Sequence, residues 1–432
     1  MRYDDLIMNI EDRIGKFRSF GNIRIKKFLE YFESPENSLK VIHVAGTNGK
    51  GSCSYFLKEI LKSDFKVGLY TSPHLFSHRD RIVINDRVIS EEDFVKIGQE
   101  ILDKEKYIIG EYGKLNNFEF LTAMAIIYFQ REKCELVILE VGMGGRADST
   151  NIIEDKNKLI SIITSISFDH MKYLGDTLEE IALAKAGIIS RDGLVVTSNT
   201  EPKILKVLEE EALKKNADIF YSKDIKTDII ESDLQGSKFF MTLDKKYSVT
   251  LDQIGTYEIE NAVLSLYGLY ILVRKNIIKY DFKKAVKRIK GIRWKGRMDL
   301  VSKSPMILLD GAHNLDAIKK LRINLNNFKY DKLYLITSIL KDKDHKNMIK
   351  EISPCANQII LINLASHKNE DLEILKKEAG IYENKIIIIE DLEKSLRYLY
   401  TNVSDNDLIL ITGSLELVKE FYKLNVDNKL NF

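Results

Sequence analysis

The run Val41-Ile42-His43-Val44-Ala45-Gly46-Thr47-Asn48-Gly49-Lys50-Gly51-Ser52 joins a buried-strand pattern to a glycine-rich turn that exits through a lysine and a serine. Glycines at 46, 49 and 51 let backbone N–H groups approach oxyanions without a Cβ in the way, and Lys50 adds a point charge. Ser52 is placed to meet a magnesium ion or a phosphate oxygen. Apolar Tyr55, Phe56, Leu57, Ile60 and Leu61 follow at helical spacing, so the turn opens a helix whose amino terminus faces the anion. The chemistry this pattern points to is polyphosphate binding, on a loop shorter than the usual Walker A spacing.

Carboxylates and bases recur where strands end. Residues 136–139 deliver Glu140 just before Val141-Gly142-Met143-Gly144-Gly145-Arg146. Ligands gather at that edge of an open α/β sheet, and a carboxylate there suits magnesium. The next strand runs into Ser165-Ile166-Ser167-Phe168-Asp169-His170, where His170 reads either as a metal ligand or as a structural histidine. Asp176-Thr177-Leu178-Glu179-Glu180 opens a helix with Thr177 and Glu180 as a capping box. That helix carries Lys185 among small apolar neighbours. On these residues alone Lys185 reads as a snorkelling side chain, with a carbamate formed on a neutral amine as the alternative. Further on, Asp310 and His313 sit at another strand end, and Ser414 opens a helix terminus suited to a carboxylate.

The elements that must position these groups are α/β in pattern. Apolar runs at 41–45, 136–141 and 159–166, separated by helical stretches, predict a parallel sheet covered on both faces. Short alternating segments between 228 and 254, notably 239–243 and 247–251, predict a small appended antiparallel hairpin, followed by a long helix over 258–273. Strands at 306–309, 334–337, 359–362, 386–389 and 408–412 make a second, Rossmann-like series. The boundary falls near Arg293 to Asp299, giving domains 1–294 and 298–432.

Composition sets outer limits. The 432 residues are 44% hydrophobic and 30% charged with a net charge of +2, which argues against a nucleic-acid partner or an anionic membrane surface. Cys53, Cys134 and Cys355 show no paired spacing and read as buried or idle thiols. The polar amino terminus and the lack of a long apolar run place the protein in the cytoplasm, without a membrane. The charge run Lys341 to Lys346 reads as a solvated loop.

Taken together, these stretches with Tyr70-Thr71-Ser72-Pro73-His74-Leu75, Lys185-Ala186-Gly187-Ile188 and Asp310-Gly311-Ala312-His313-Asn314 resemble the folylpolyglutamate synthase and dihydrofolate synthase family of the Mur ligase superfamily. The resemblance implies an ATP-dependent ligase that adds L-glutamate to a folate or to dihydropteroate through an acyl phosphate, acting as a monomer with ATP and Mg2+. It implies magnesium on Ser72, Glu140 and His170, a carbamylated Lys185, and ATP contacts from Asn48, Gly49, Lys50, Gly51, Ser52, Asn261, Arg297 and Asp310. It places the pterin-bearing substrate near Phe118, Glu119, Thr122, Ala147, Asp148 and Ser149, and receives glutamate on the second domain. Tyr257-Glu258 stand where the family usually has His-Gln, Leu315 where it has proline, and Glu416 where it has tyrosine. The rival readings are another Mur-type ligase acting on a cell-wall precursor, a P-loop phosphotransferase or switch, and a lapsed binding protein.

Overall fold

The computed structural model describes residues 1–13, 22–364 and 369–426. The first half builds an eight-stranded sheet in the order β4-β3-β2-β5-β1-β6-β7-β8. Its strands are β1 (Val41–Ala45), β2 (Val67–Tyr70), β3 (Ile82–Ile84), β4 (Arg87–Val88), β5 (Leu136–Glu140), β6 (Lys158–Ile163), β7 (Leu194–Thr197) and β8 (Asp218–Tyr221). Six of them run parallel, and β3 and β4 form an antiparallel edge. Every residue of β1, β2, β5 and β7 is buried, which is why these strands read as mostly apolar runs rather than alternating ones.

Strand order explains where a ligand would sit. From β1 the chain moves to β2 on one side, β5 then inserts between them, and β6 to β8 build outward on the other side. The order therefore reverses around β1, and the loops leaving β1, β5 and β6 open into the same crevice. The expected strand over 159–166 ends three residues early. Thr164 still donates its amide to the Ala45 carbonyl, but Ser165 turns its carbonyl to the loop after β1.

Consecutive strands β9 (Lys226–Asp233), β10 (Gly236–Thr242) and β11 (Lys246–Leu251) form a separate three-stranded sheet. Its two-residue link between β9 and β10 fits only an antiparallel pair. The appended element is thus a meander one strand larger than the expected hairpin. The helix Thr256–Arg274 follows, and a Cβ at Gly268 would lie 3.3 Å from both Ile162 and Val196, so the missing side chain lets this helix settle on β6 and β7.

The third sheet has the order β12-β13-β17-β14-β15-β16, from β12 (Asp299–Lys303), β13 (Met306–Leu309), β14 (Leu333–Thr337), β15 (Gln358–Leu361), β16 (Ile386–Ile388) and β17 (Leu408–Thr412). The five expected strands are present and parallel, and β12 adds an antiparallel edge, absent from the sequence reading because its residues are only half-buried. Contacts divide the chain into two units. One comprises Met1–Thr227, Met241–Tyr247 and Glu260–Ile289; the other comprises Asp228–Phe240, Ser248–Ile259 and the chain from Lys290. Each has hydrophobic clusters of its own.

Candidate functional site

The loop after β1 is held open by close packing. Gly46 (φ +149°) and Gly49 (φ +86°) adopt backbone conformations that a side chain would oppose. A Cβ on Gly46 would lie 1.7 Å from Thr164 Oγ1, and one on Gly49 would lie 2.3 Å from Asn261 Oδ1. Thr47 clips the loop to the segment after β6. Its amide donates to Ser165 O at 2.8 Å, its hydroxyl donates to Ser167 O at 3.1 Å, and Ser167 N donates back to that hydroxyl. The helix Lys50–Leu61 starts at once, with Gly49 at its cap, so Gly49, Lys50, Gly51 and Ser52 supply the first-turn amides that a helix leaves for a ligand or a cap.

Two lysines converge on one carbonyl. Lys50 Nζ donates to Gly46 O at 3.2 Å and to Thr47 O at 3.0 Å, while Lys185 Nζ donates to Gly46 O at 2.7 Å. Lys185 does not snorkel: it is buried, in the last turn of the helix Leu178–Ala186. Gly145 and Gly187 bring that helix close, since Arg146 N donates to Ala184 O at 2.7 Å and a Cβ on Gly187 would strike Arg146. Burial first, then the neighbouring Lys50 charge, pushes the Lys185 pKa down to about 7. Near neutrality a large fraction of it is a free amine. The capping box expected for this helix is present, with Thr177 accepting from Glu180 N and Glu180 returning a bond to Thr177 N.

At the neighbouring strand ends, Ser72 N donates to the buried Glu140 carboxylate at 3.2 Å. His170 has a left-handed backbone (φ +51°) and stands at the head of the short helix Met171–Leu174; its amide donates to Asp169 Oδ1 at 2.8 Å, and its Nε2 lies 3.8 Å from Asp169 Oδ2. Among the described residues no three His, Cys, Asp or Glu side chains gather as a metal cluster. The expected set draws instead on a hydroxyl, a carboxylate, an imidazole and a modified lysine. Glu140 and Ser72 present the oxygen donors magnesium takes, whereas Lys185 fits only as a carbamate.

The expected substrate residues are more diverse. Thr122 Oγ1 lies 2.9 Å from Ser149 Oγ, 3.2 Å from Tyr70 OH and 2.7 Å from Phe118 O. Phe118 lies on Gly142, where a Cβ would sit 2.4 Å from the ring. Asp148 accepts from Met143 N, Thr150 N and Thr150 Oγ1, and burial raises its pKa against those bonds. Ala147 is exposed. Glu119 is engaged structurally, in a 2.8 Å ion pair with Arg24 and as the capping partner of Asn116.

In the second unit Asp310 is held by three hydrogen bonds. Its Oδ2 accepts from Met298 N at 2.9 Å and from Tyr257 OH at 2.8 Å, and its Oδ1 accepts from Ala312 N at 2.8 Å. The Gly311 carbonyl accepts from Arg297 at 3.3 Å and lies 2.8 Å from His313 Nδ1. Ser414 Oγ accepts from Leu417 N at 3.2 Å at the head of the helix Leu415–Val426.

Residues 44–268 match the Mur ligase middle domain, and residues 296–415 match the Mur ligase glutamate ligase domain. The dihydrofolate synthase/folylpolyglutamate synthase of Bacillus subtilis (strain 168) is 35% identical over 414 residues, 93% of this chain and 94% of that one. The chain belongs to the dihydrofolate synthase/folylpolyglutamate synthase family of Mur ligases. Solved folylpolyglutamate synthases share its fold: the Thermotoga maritima structure has a TM-score of 0.85 at 29% identity, covering 99% of this chain and 98% of that one. The Mycobacterium tuberculosis enzyme complexed with ADP has a TM-score of 0.89 at 27% identity, covering 98% of each.

This Mur-type ligase is an ATP-dependent enzyme, and the glutamate-ligase match of its second unit sets aside the phosphotransferase and switch readings. The departure at Tyr257 has a local explanation, because its phenol supplies a donor to Asp310. Leu315 occupies the first turn of the helix Leu315–Leu325, capped by the Asn314 side chain. Sequence reading missed His43, whose Nε2 lies 2.9 Å from Thr150 Oγ1. Since that hydroxyl donates to Asp148, His43 must be the donor to it, so a strand histidine indirectly steadies the loop after β5. A polar residue inside an apolar strand was the available signal. No helix among the described residues is long and apolar enough to cross a membrane.

Proposed function

We propose that this ligase joins the amine of L-glutamate to the carboxylate of a folate, with dihydropteroate as a second acid in its range, using ATP and Mg2+ as a cytoplasmic monomer. The observation that carries the reading is the Lys185 amine seated on the Gly46 carbonyl beside Lys50. A carboxylate oxygen of the acid attacks the γ-phosphorus, the bond to the β-bridging oxygen breaks, and ADP leaves. The glutamate nitrogen then attacks the acyl carbon, loses its proton, and phosphate departs as the amide forms.

Each step brings like charges together, so the protein contributes alignment and charge compensation rather than a nucleophile. The first-turn amides from Gly49 to Ser52 and the Lys50 ammonium hold the phosphates. Asn261, Arg297 and Asp310 are the further nucleotide contacts of this reading, and Phe118, Glu119, Thr122, Ala147, Asp148 and Ser149 surround the pterin-bearing acid. Ser72 and Glu140 would hold one magnesium, and His170 with carbamylated Lys185 would hold a second. Bound magnesium offsets phosphate charge and polarises the γ-phosphoryl group. The carbamate forms when the neutral Lys185 amine adds carbon dioxide and releases a proton. Asp169 and His313 are the candidates for accepting the amine proton, and Ser414 marks the glutamate end.

The test measures ADP release with and without L-glutamate, using dihydropteroate, tetrahydrofolate and a muramyl precursor in parallel. Release is expected only with a pterin-bearing acid and glutamate together. Release indifferent to every amino acid overturns the reading, and release with the muramyl precursor moves the chain to cell-wall synthesis. Lys185→Ala is expected to retain ATP binding and lose ligation by at least about 100-fold.

A further inference from the structure

The first unit contains a cavity of about 540 Å³ at the end of the sheet opposite the loops described above. It forms where the central strands begin. Lys40 precedes β1, Phe65 precedes β2 and Leu136 opens β5, while Phe129 comes from the helix Asn117–Arg131 and Ile278 from the turn after Thr256–Arg274. The strands are about five residues long, so the cavity lies roughly 17 Å from the loops at their far ends.

Its lining has two characters. Phe65 is half-buried and Ile277 exposed, and they give an accessible apolar floor above the buried Phe129, Leu136 and Ile278. Lys40, Lys133 and Lys279 are exposed on its rim, and among the described residues none of the three has a carboxylate partner. One acid lies among them, Glu135, and its carboxylate already accepts the Lys66 amide at 2.7 Å. The rim therefore carries more positive charge than its own neighbours answer, over an aromatic and aliphatic floor, in a volume typical of small-molecule sites. Burial pushes the thiol of Cys134, in the wall, up to about 12, which disfavours its thiolate.

We propose that this cavity is a second binding site, separate from the ligation site, for a small amphipathic anion with a flat apolar body and a carboxylate, sulfonate or phosphate directed to Lys40, Lys133 and Lys279. The body replaces water on Phe65 and Ile277, and the three ammonium groups choose the charge. The proposal stands whether or not the substrate assignment above is correct, since it uses none of those residues.

The test uses the full chain, with and without saturating ATP, and 1-anilinonaphthalene-8-sulfonate as the probe, with N-phenyl-1-naphthylamine as its uncharged counterpart. Fluorescence titration is expected to show one saturable sulfonate site that ATP does not displace. Lys40→Gln/Lys133→Gln/Lys279→Gln is expected to weaken that site at least tenfold, to leave binding of the uncharged probe unchanged, and to preserve ATP turnover, which also shows that the variant folds. Equal sulfonate affinity in the variant overturns the proposal, as does displacement by ATP.

Discussion

Lys185 shows how one buried amine couples stability to pH. Its folded pKa is near 7, against an ordinary lysine value of 10.5, because burial and Lys50 both oppose its charge. Between those values the unfolded chain binds a proton that the folded chain does not, so this residue's contribution to stability rises with pH from about 7 to about 10.5. Lys158, whose pKa burial lowers to about 8, acts with the same sign, so the readout must be a difference between variants. Urea unfolding in carbon dioxide-free buffer should show the stability gap between the parent chain and Lys185→Met widening in the parent's favour by roughly 2 kcal/mol from pH 7 to pH 9. A gap that stays constant would mean that Lys185 keeps its proton.

At the scale of elements, the helix Asn117–Arg131 depends on a buried electrostatic cap. Asn116 and Glu119 exchange backbone bonds at its start, and Glu119 also pairs with Arg24, itself buried. Burial raises the Glu119 pKa even with these partners, a sign that the carboxylate is costly to keep dry. Removing it would leave the Arg24 guanidinium buried without its counter-ion. Glu119→Ala should therefore destabilise the chain by about 3–5 kcal/mol in chemical denaturation. A variant that kept its stability while KM for the pterin-bearing acid rose would assign Glu119 to substrate instead of scaffold.

Over the whole molecule, each unit closes an apolar core from its own residues: Phe120 and Tyr70 belong to one cluster, Leu335 and Leu410 to another. Chains built this way seldom unfold in a single step. Scanning calorimetry should resolve at least two transitions, with ATP at a hundred times its Kd adding about 2.7 kcal/mol to the unit that carries the loop after β1. One transition that shifts as a whole would show the two cores to be a single cooperative body.

Sequence alone determined the chemical inventory and most of the framework. A buried strand feeding glycines and Lys50, a carboxylate at the end of β5, and repeated strand–helix alternation are local patterns, because strand burial and loop conformation are written in consecutive residues. The Thr177–Glu180 cap was legible for the same reason. What lay beyond it were relations between distant segments. Lys185 read as a snorkelling side chain until Gly145 and Gly187 brought its helix against the loop at Gly46, 139 positions away. The slot of β5 between β1 and β2, the edge strand β12, the Tyr257 bond to Asp310 and the His43–Thr150 contact were likewise decided by tertiary structure. The cause is common to them all: packing geometry, not residue type, sets which polar group meets which partner and how much water remains to support its charge.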